Sequence, residues 1–121
     1  MSRRSLLIAA LTPLSLTGPA LAGNAGVIVQ SGGVNQARVV QSGPANTLTA
    51  VQGGYANSSS VLQSGGFNNA MVGQMGHHNR AMVGQIGSAN RAGVVQMGPD
   101  NLAGIGQAGP RNSATLDQWS W

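Results

Sequence analysis

The side chains placed to do chemistry in this sequence are carboxamides. Gln stands at Gln30, Gln41, Gln52, Gln63, Gln74, Gln85, Gln96, Gln107 and Gln118. Asn stands at Asn24, Asn35, Asn46, Asn57, Asn68, Asn79, Asn90, Asn101 and Asn112. An amide carries two N–H donors and one carbonyl acceptor, and it is no nucleophile. What evenly spaced amides can do is hydrogen-bond to one another. No nucleophile–base pair, phosphate loop or metal cluster accompanies them, so the sequence offers no catalytic residue. His77 and His78 are adjacent in a proposed turn and lack a third ligand; they read as polar turn residues. Asp is too scarce for a calcium-binding repeat. The expectation is therefore a protein that is not an enzyme, with no cofactor, no metal and no small-molecule substrate.

The spacing is strict. Each Gln before Gln118 is followed two residues later by Gly, at Gly32, Gly43, Gly54, Gly65, Gly76, Gly87, Gly98 and Gly109, and Asn follows three residues after that. Eight units of the form Gln-x-Gly-x-x-Asn-x-Ala-x-φ-x, with φ apolar, run from Gln30 to Asp117 without insertion or deletion. The eighth position is Ala except at Leu48 and Ser59, and the tenth is Val39, Ala50, Val61, Val72, Val83, Val94, Ile105 or Leu116. A partial unit from Asn24 to Gln30 precedes them.

An 11-residue period also fits a right-handed helical coil. Each unit, however, carries at least one Gly, and each Gly inside a helix costs roughly 1 kcal/mol against Ala. The strand reading places Asn, Ala, the apolar residue and Gln on one face of a seven-residue strand. The opposite face varies freely, as in Gln36, Arg38 and Val40 against Ser58, Ser60 and Leu62. Pro44, Pro99 and Pro110 all directly follow the repeat Gly, in a turn and outside the strands where Pro would remove a ladder bond.

To hide the constant face, consecutive strands must fold back on each other. The expected fold is all-β: a β-solenoid of 11-residue strand–turn units, two per rung, forming two parallel, in-register, amyloid-like sheets. Strands starting at 24, 46, 68, 90 and 112 make one sheet, and those at 35, 57, 79 and 101 the other. The rungs stack about 4.8 Å apart, giving a column roughly 20 Å tall. Inward Asn and Gln then form amide ladders that fix register, because a slip leaves buried amides unpaired.

Composition agrees. Charged residues are 7%, aromatic residues 3%, and Cys is absent. Residues 1–22 read as a secretory signal: Arg3 and Arg4, an apolar run through Leu16, and a small-x-small site at Ala20-Leu21-Ala22. Residues 23–121 are then the repeat domain. They keep four arginines against two aspartates, a net charge of +2. Scattered Arg without aromatic interleaving makes no nucleic-acid footprint. The repeat runs almost to both ends of the mature chain without a capping helix, so each end would template another copy.

The motif Gln-x-Gly-x-x-Asn-x-Ala-x-x-x-Gln resembles the curlin repeat of curli subunits. The run Gln74-Met75-Gly76-His77-His78-Asn79-Arg80-Ala81-Met82-Val83-Gly84-Gln85 matches it in full. The resemblance implies a major subunit or nucleator of extracellular amyloid fibres for biofilm matrix, adhesion and surface attachment. It also implies export through the periplasm, an outer-membrane secretion channel, a second curli-type subunit as partner, and inward Asn and Gln as the assembly-controlling residues. The chain departs from the best-known curli subunits in having almost no Gly-rich segment before its first strand. The competing reading is a soluble secreted β-solenoid binding module, of adhesin or ice-binding type; Thr47 and Thr49 make one Thr-x-Thr pair but no flat array.

Overall fold

The computed structural model describes residues 5–9, 14–16 and 23–121. It contains two parallel sheets and no helix among those residues. Two short strands, β1 (Ser5–Ala9) and β2 (Leu14–Leu16), lie within the expected leader; the expected cleavage site falls outside the described residues. The repeat strands follow: β3 (Ala25–Gly32), β4 (Gln36–Ser42), β5 (Thr47–Tyr55), β6 (Ser58–Gly65), β7 (Asn69–His77), β8 (Arg80–Gly87), β9 (Arg91–Pro99), β10 (Leu102–Gly109) and β11 (Ser113–Trp119).

Odd-numbered strands form one sheet, in the order β1-β3-β5-β7-β9-β11, and even-numbered strands form the other, β10-β8-β6-β4-β2. Along the repeat every pairing joins residues 22 apart, as in Gln52↔Gln74 and Val61↔Val83. One turn of the solenoid is therefore two sequence units, as the periodicity predicts. The constant face is buried between the sheets. Ala37, Ala70, Ala81, Ala92 and Ala103 form its small layer, and Val39, Val61, Val72, Val83 and Val94 the larger one. Two rows of small apolar side chains fill a thin space, and the chain places its large residues outside: Phe67, Met75, Ile86 and Trp119 are exposed.

The strands differ from the sequence reading in their limits. They begin one residue after Asn, and most run on through the repeat Gly. The turn proper is the short stretch between that Gly and the next strand. Pro99 consequently lies inside a strand, as the last residue of β9, because pairing on this sheet continues through Tyr55↔His77 and His77↔Pro99.

The repeat glycines explain how the ladder survives the bend. All eight have φ between +97° and +123°, a region closed to side chains with a Cβ. They stack on one another, and a Cβ on Gly76 would collide with the backbone carbonyl of Gly98 one rung on. Gly84, by contrast, faces open space at ordinary φ. The two sites should therefore respond oppositely to one methyl group. Gly84→Ala is expected to be neutral or to stabilise by up to about 1 kcal/mol, whereas Gly76→Ala should destabilise by about 1–3 kcal/mol or more. Guanidinium unfolding midpoints of the two variants check this.

Candidate functional site: the buried amide columns

The candidate site is a set of columns running the length of the solenoid. The central amides are fully buried: Gln52, Gln63, Gln74, Gln85 and Gln96 have no exposed surface, and Asn35, Asn57, Asn68, Asn79 and Asn90 are 1% exposed. Those near the ends, Asn24, Gln41, Asn101, Asn112 and Gln118, are half-buried. Burying an amide without partners costs roughly 1–3 kcal/mol, so each must find hydrogen bonds inside.

Gln, at the end of its strand, reaches in two directions. Its Nε2 donates to Oε1 of the Gln one rung later: Gln30 to Gln52 at 2.5 Å, Gln52 to Gln74 at 2.6 Å, Gln63 to Gln85 at 2.9 Å, Gln74 to Gln96 at 2.8 Å. The same Nε2 also donates across the solenoid, to a backbone carbonyl at the start of the facing strand. Gln74 reaches Ser58 O, Gln85 reaches Asn69 O and Gln96 reaches Arg80 O, each at 3.0 Å. One side chain thus fixes stacking register and joins the two sheets.

Asn works differently, in a way its period alone does not disclose. It sits at the corner just before the strand, and its Nδ2 turns back on its own turn. Every Asn from Asn35 to Asn112 donates to the carbonyl four residues earlier, as in Asn35 to Ser31 O at 2.7 Å and Asn79 to Met75 O at 3.0 Å. Its Oδ1 serves the next rung. It accepts the backbone N–H of the following Asn (Asn79 N to Asn57 Oδ1, 3.1 Å) and, in several pairs, the next side-chain N–H (Asn101 Nδ2 to Asn79 Oδ1, 3.0 Å). Asn is therefore a turn clamp as well as a ladder member.

The two ladders run in opposite senses. From amide to amide, Gln donates toward the C-terminal end of the column and Asn toward the N-terminal end, although Asn35, Asn57 and Asn68 also donate forward to the carbonyl of the repeat Gly one rung on. Among the described residues, three buried side-chain polar atoms have no hydrogen-bond partner: Asn24 Nδ2, Gln107 Nε2 and Ser59 Oγ. The first two belong to end rungs. Ser59 replaces Ala in its column, between Ala37 and Ala81.

The remaining candidates lie outside. His78 is exposed, with Nδ1 3.7 Å from Asp100 Oδ1 and its ring edge-on to Tyr55, 6.3 Å between centroids. His77 sits beside it in sequence but in β7, and the described residues contain no group of three metal-binding side chains. Sequence reasoning did not single out the turn residue before Asn. Ala56, His78, Ala89 and Asp100 all have φ of 55–63° there, as an L residue seldom does; Ala carries no sign of that conformation.

The model of the curlin associated repeat matches residues 43–76, 54–87, 68–98 and 87–119. Together these overlapping matches span 43–119. No curated protein and no solved structure matches the chain.

Removing one amide from the middle of a column exposes several partners at once. Gln85→Ala strips an acceptor from Gln63, a donor from Gln107 and a donor from Asn69 O. It should cost at least about 2 kcal/mol. Arg80→Ala, on the exposed face, should lie within about 0.5 kcal/mol of the parent. Assembly followed by an amyloid dye should be slowed by the first and little changed by the second.

Proposed function

This chain belongs to the curlin repeat family, and from that premise we propose that it is a structural subunit, or a nucleator, of extracellular curli-type amyloid fibres. The observation that carries the reading is the state of the sheet ends. β10 and β11 close their sheets with an outer edge that no described residue pairs. Behind those edges every column is an in-register stack of identical amides. A parallel edge backed by such a stack is a template for another copy of the same sequence. The contact is head-to-tail and does not close on itself, so it grows a filament.

The assignment to the family supports a structural role, and the buried residues support it independently. Away from the end rungs, the constant amides spend their hydrogen-bonding capacity on one another and on backbone. In this reading Asn and Gln of the columns control assembly, and the repeat glycines hold the turns in stacking register. The roles of biofilm scaffold and adhesive surface, a second curli-type subunit and an outer-membrane channel belong to the same proposal. Residues 1–22 act as the secretory leader, and their removal would take away β1 and β2 and uncover the edges of β3 and β4.

Purified chain 23–121 should assemble into filaments giving reflections near 4.8 Å and 10 Å. A chain that remains folded and monomeric for days would instead favour the soluble solenoid binding module. The N-terminus of secreted protein, read by mass spectrometry, should be Gly23.

A further inference from the structure

The two ends of the column are stepped. β11 stacks on β9, but no strand of the described chain lies on β10 at the same level. The inward residues of β11 accordingly stay only half covered, whereas Ala103 and Ile105 of β10 are buried. The question is which strand of a neighbouring copy fills that step.

We propose that successive chains in the fibre are related by a half-turn about its axis. β3 of each chain then completes the sheet ending in β10 of the chain before, and β4 stacks on β11. This rests on the fibre reading above and on removal of residues 1–22. Each molecule would exchange the roles of the two sheets relative to its neighbour.

Gln107 points to this arrangement. It accepts from Gln85 at 2.9 Å, yet its own Nε2 is buried and has no partner. In its column the missing acceptor is the Oε1 of a Gln one rung on. With the half-turn, Gln30 of the next chain stands there, since β3 continues the same 22-residue register. An amide oxygen has two acceptor positions, so Gln30 can take this bond while donating to its own Gln52. The Asn column supplies the reverse bond. Asn24 Nδ2 has no hydrogen-bond partner, and stacking β3 on β10 sets it against Oδ1 of Asn101. Donors and acceptors match because the Gln and Asn ladders run in opposite senses.

The unrotated alternative sets β3 on β11 and β4 two strand spacings, about 9.6 Å, beyond β10. That leaves a slot in one sheet and Gln107 unpaired within it. The rotation itself demands nothing new of the side chains. Both sheets present the same inward series, such as Ala70, Val72 and Gln74 in one and Ala81, Val83 and Gln85 in the other.

The chain contains no Cys, so engineered pairs report the junction cleanly. In-register neighbours lie about 4.8 Å apart, within disulfide reach. Continued register places Leu102 against Ala25 of the next chain under the half-turn, and Ser113 against Ala25 without it. Oxidised fibres of the Leu102→Cys/Ala25→Cys variant should yield covalent multimers on a non-reducing denaturing gel, at least tenfold more than those of Ser113→Cys/Ala25→Cys. Equal yields, or the reverse order, would overturn the proposal. Helical reconstruction of unsubstituted fibres tests the same point without variants: a 180° rotation with a rise of about 22 Å is expected, against about 24 Å and no half-turn for the alternative. Fibres with the wrong symmetry refute the junction alone; a chain that never forms fibres removes the fibre reading and the junction with it.

Discussion

The structure depends on one constraint: a buried carboxamide must be paired. Sixteen-residue and 22-residue hydrogen bonds meet at each central Gln, so the side chain that sets the stacking register also sets the distance between sheets. Shifting one strand by a single residue would turn its amides outward and its variable residues inward. A shift of two would keep the face but break both kinds of Gln bond. The register is therefore specified by polar groups, while the Ala and Val rows contribute burial that tolerates sliding. The opposed senses of the Gln and Asn ladders follow from their positions. Gln approaches the next rung from the end of one strand, whereas Asn spends its Nδ2 on carbonyls of the turns and offers its oxygen to the Asn of the next rung.

Thinness is the second consequence. The interior must be narrow enough for a Gln side chain to reach the opposite backbone, at 3.0–3.3 Å in the bonds it makes there. A Phe or Trp in the Ala row would push the sheets apart and break those bonds. The aromatic residues Tyr55, Phe67, Trp119 and Trp121 are accordingly exposed. Stability then comes from repetition rather than from large side chains, and it is nearly uniform along the column apart from its ends.

The periodic part of this arrangement was legible in the sequence because it depends on side chains. The 22-residue rung, the assignment of β3 to β11 to the two sheets and the inward series from Ala37 to Ala103 follow from period and alternation alone; β1 and β2, outside the repeat, do not. The corners were less legible because they depend on backbone. That strands continue through Gly76 and Gly87 reflects a positive φ that bends the chain while keeping its inter-rung pairing. Nothing in Ala56 or Ala89 announces a left-handed conformation; stacking on equivalent turns imposes it. The bond from Asn to the carbonyl four residues back was hidden for a related reason. An Asn recurring every eleventh position reads equally well as a ladder or as a turn clamp, and it is both.

The outer face, which period analysis treats as free, obeys a rule of its own. In a parallel in-register sheet an identical repeat would stack each charge on its own kind, at about 1 kcal/mol of repulsion per pair at 4 Å even in water. The charges on the described strands of the repeat avoid that. Arg80 lies between Ser58 and Leu102, Arg91 between Asn69 and Ser113, and Asp117 on Val95. Where a carboxylate meets a titratable group, Asp100 stacks on His78. Variation outside and identity inside are thus two answers to the same geometry: stacking favours like amides, which are donor and acceptor at once, and penalises like charges, which are not. A fibre built of such chains inherits both, because each junction repeats the contact that already exists between rungs.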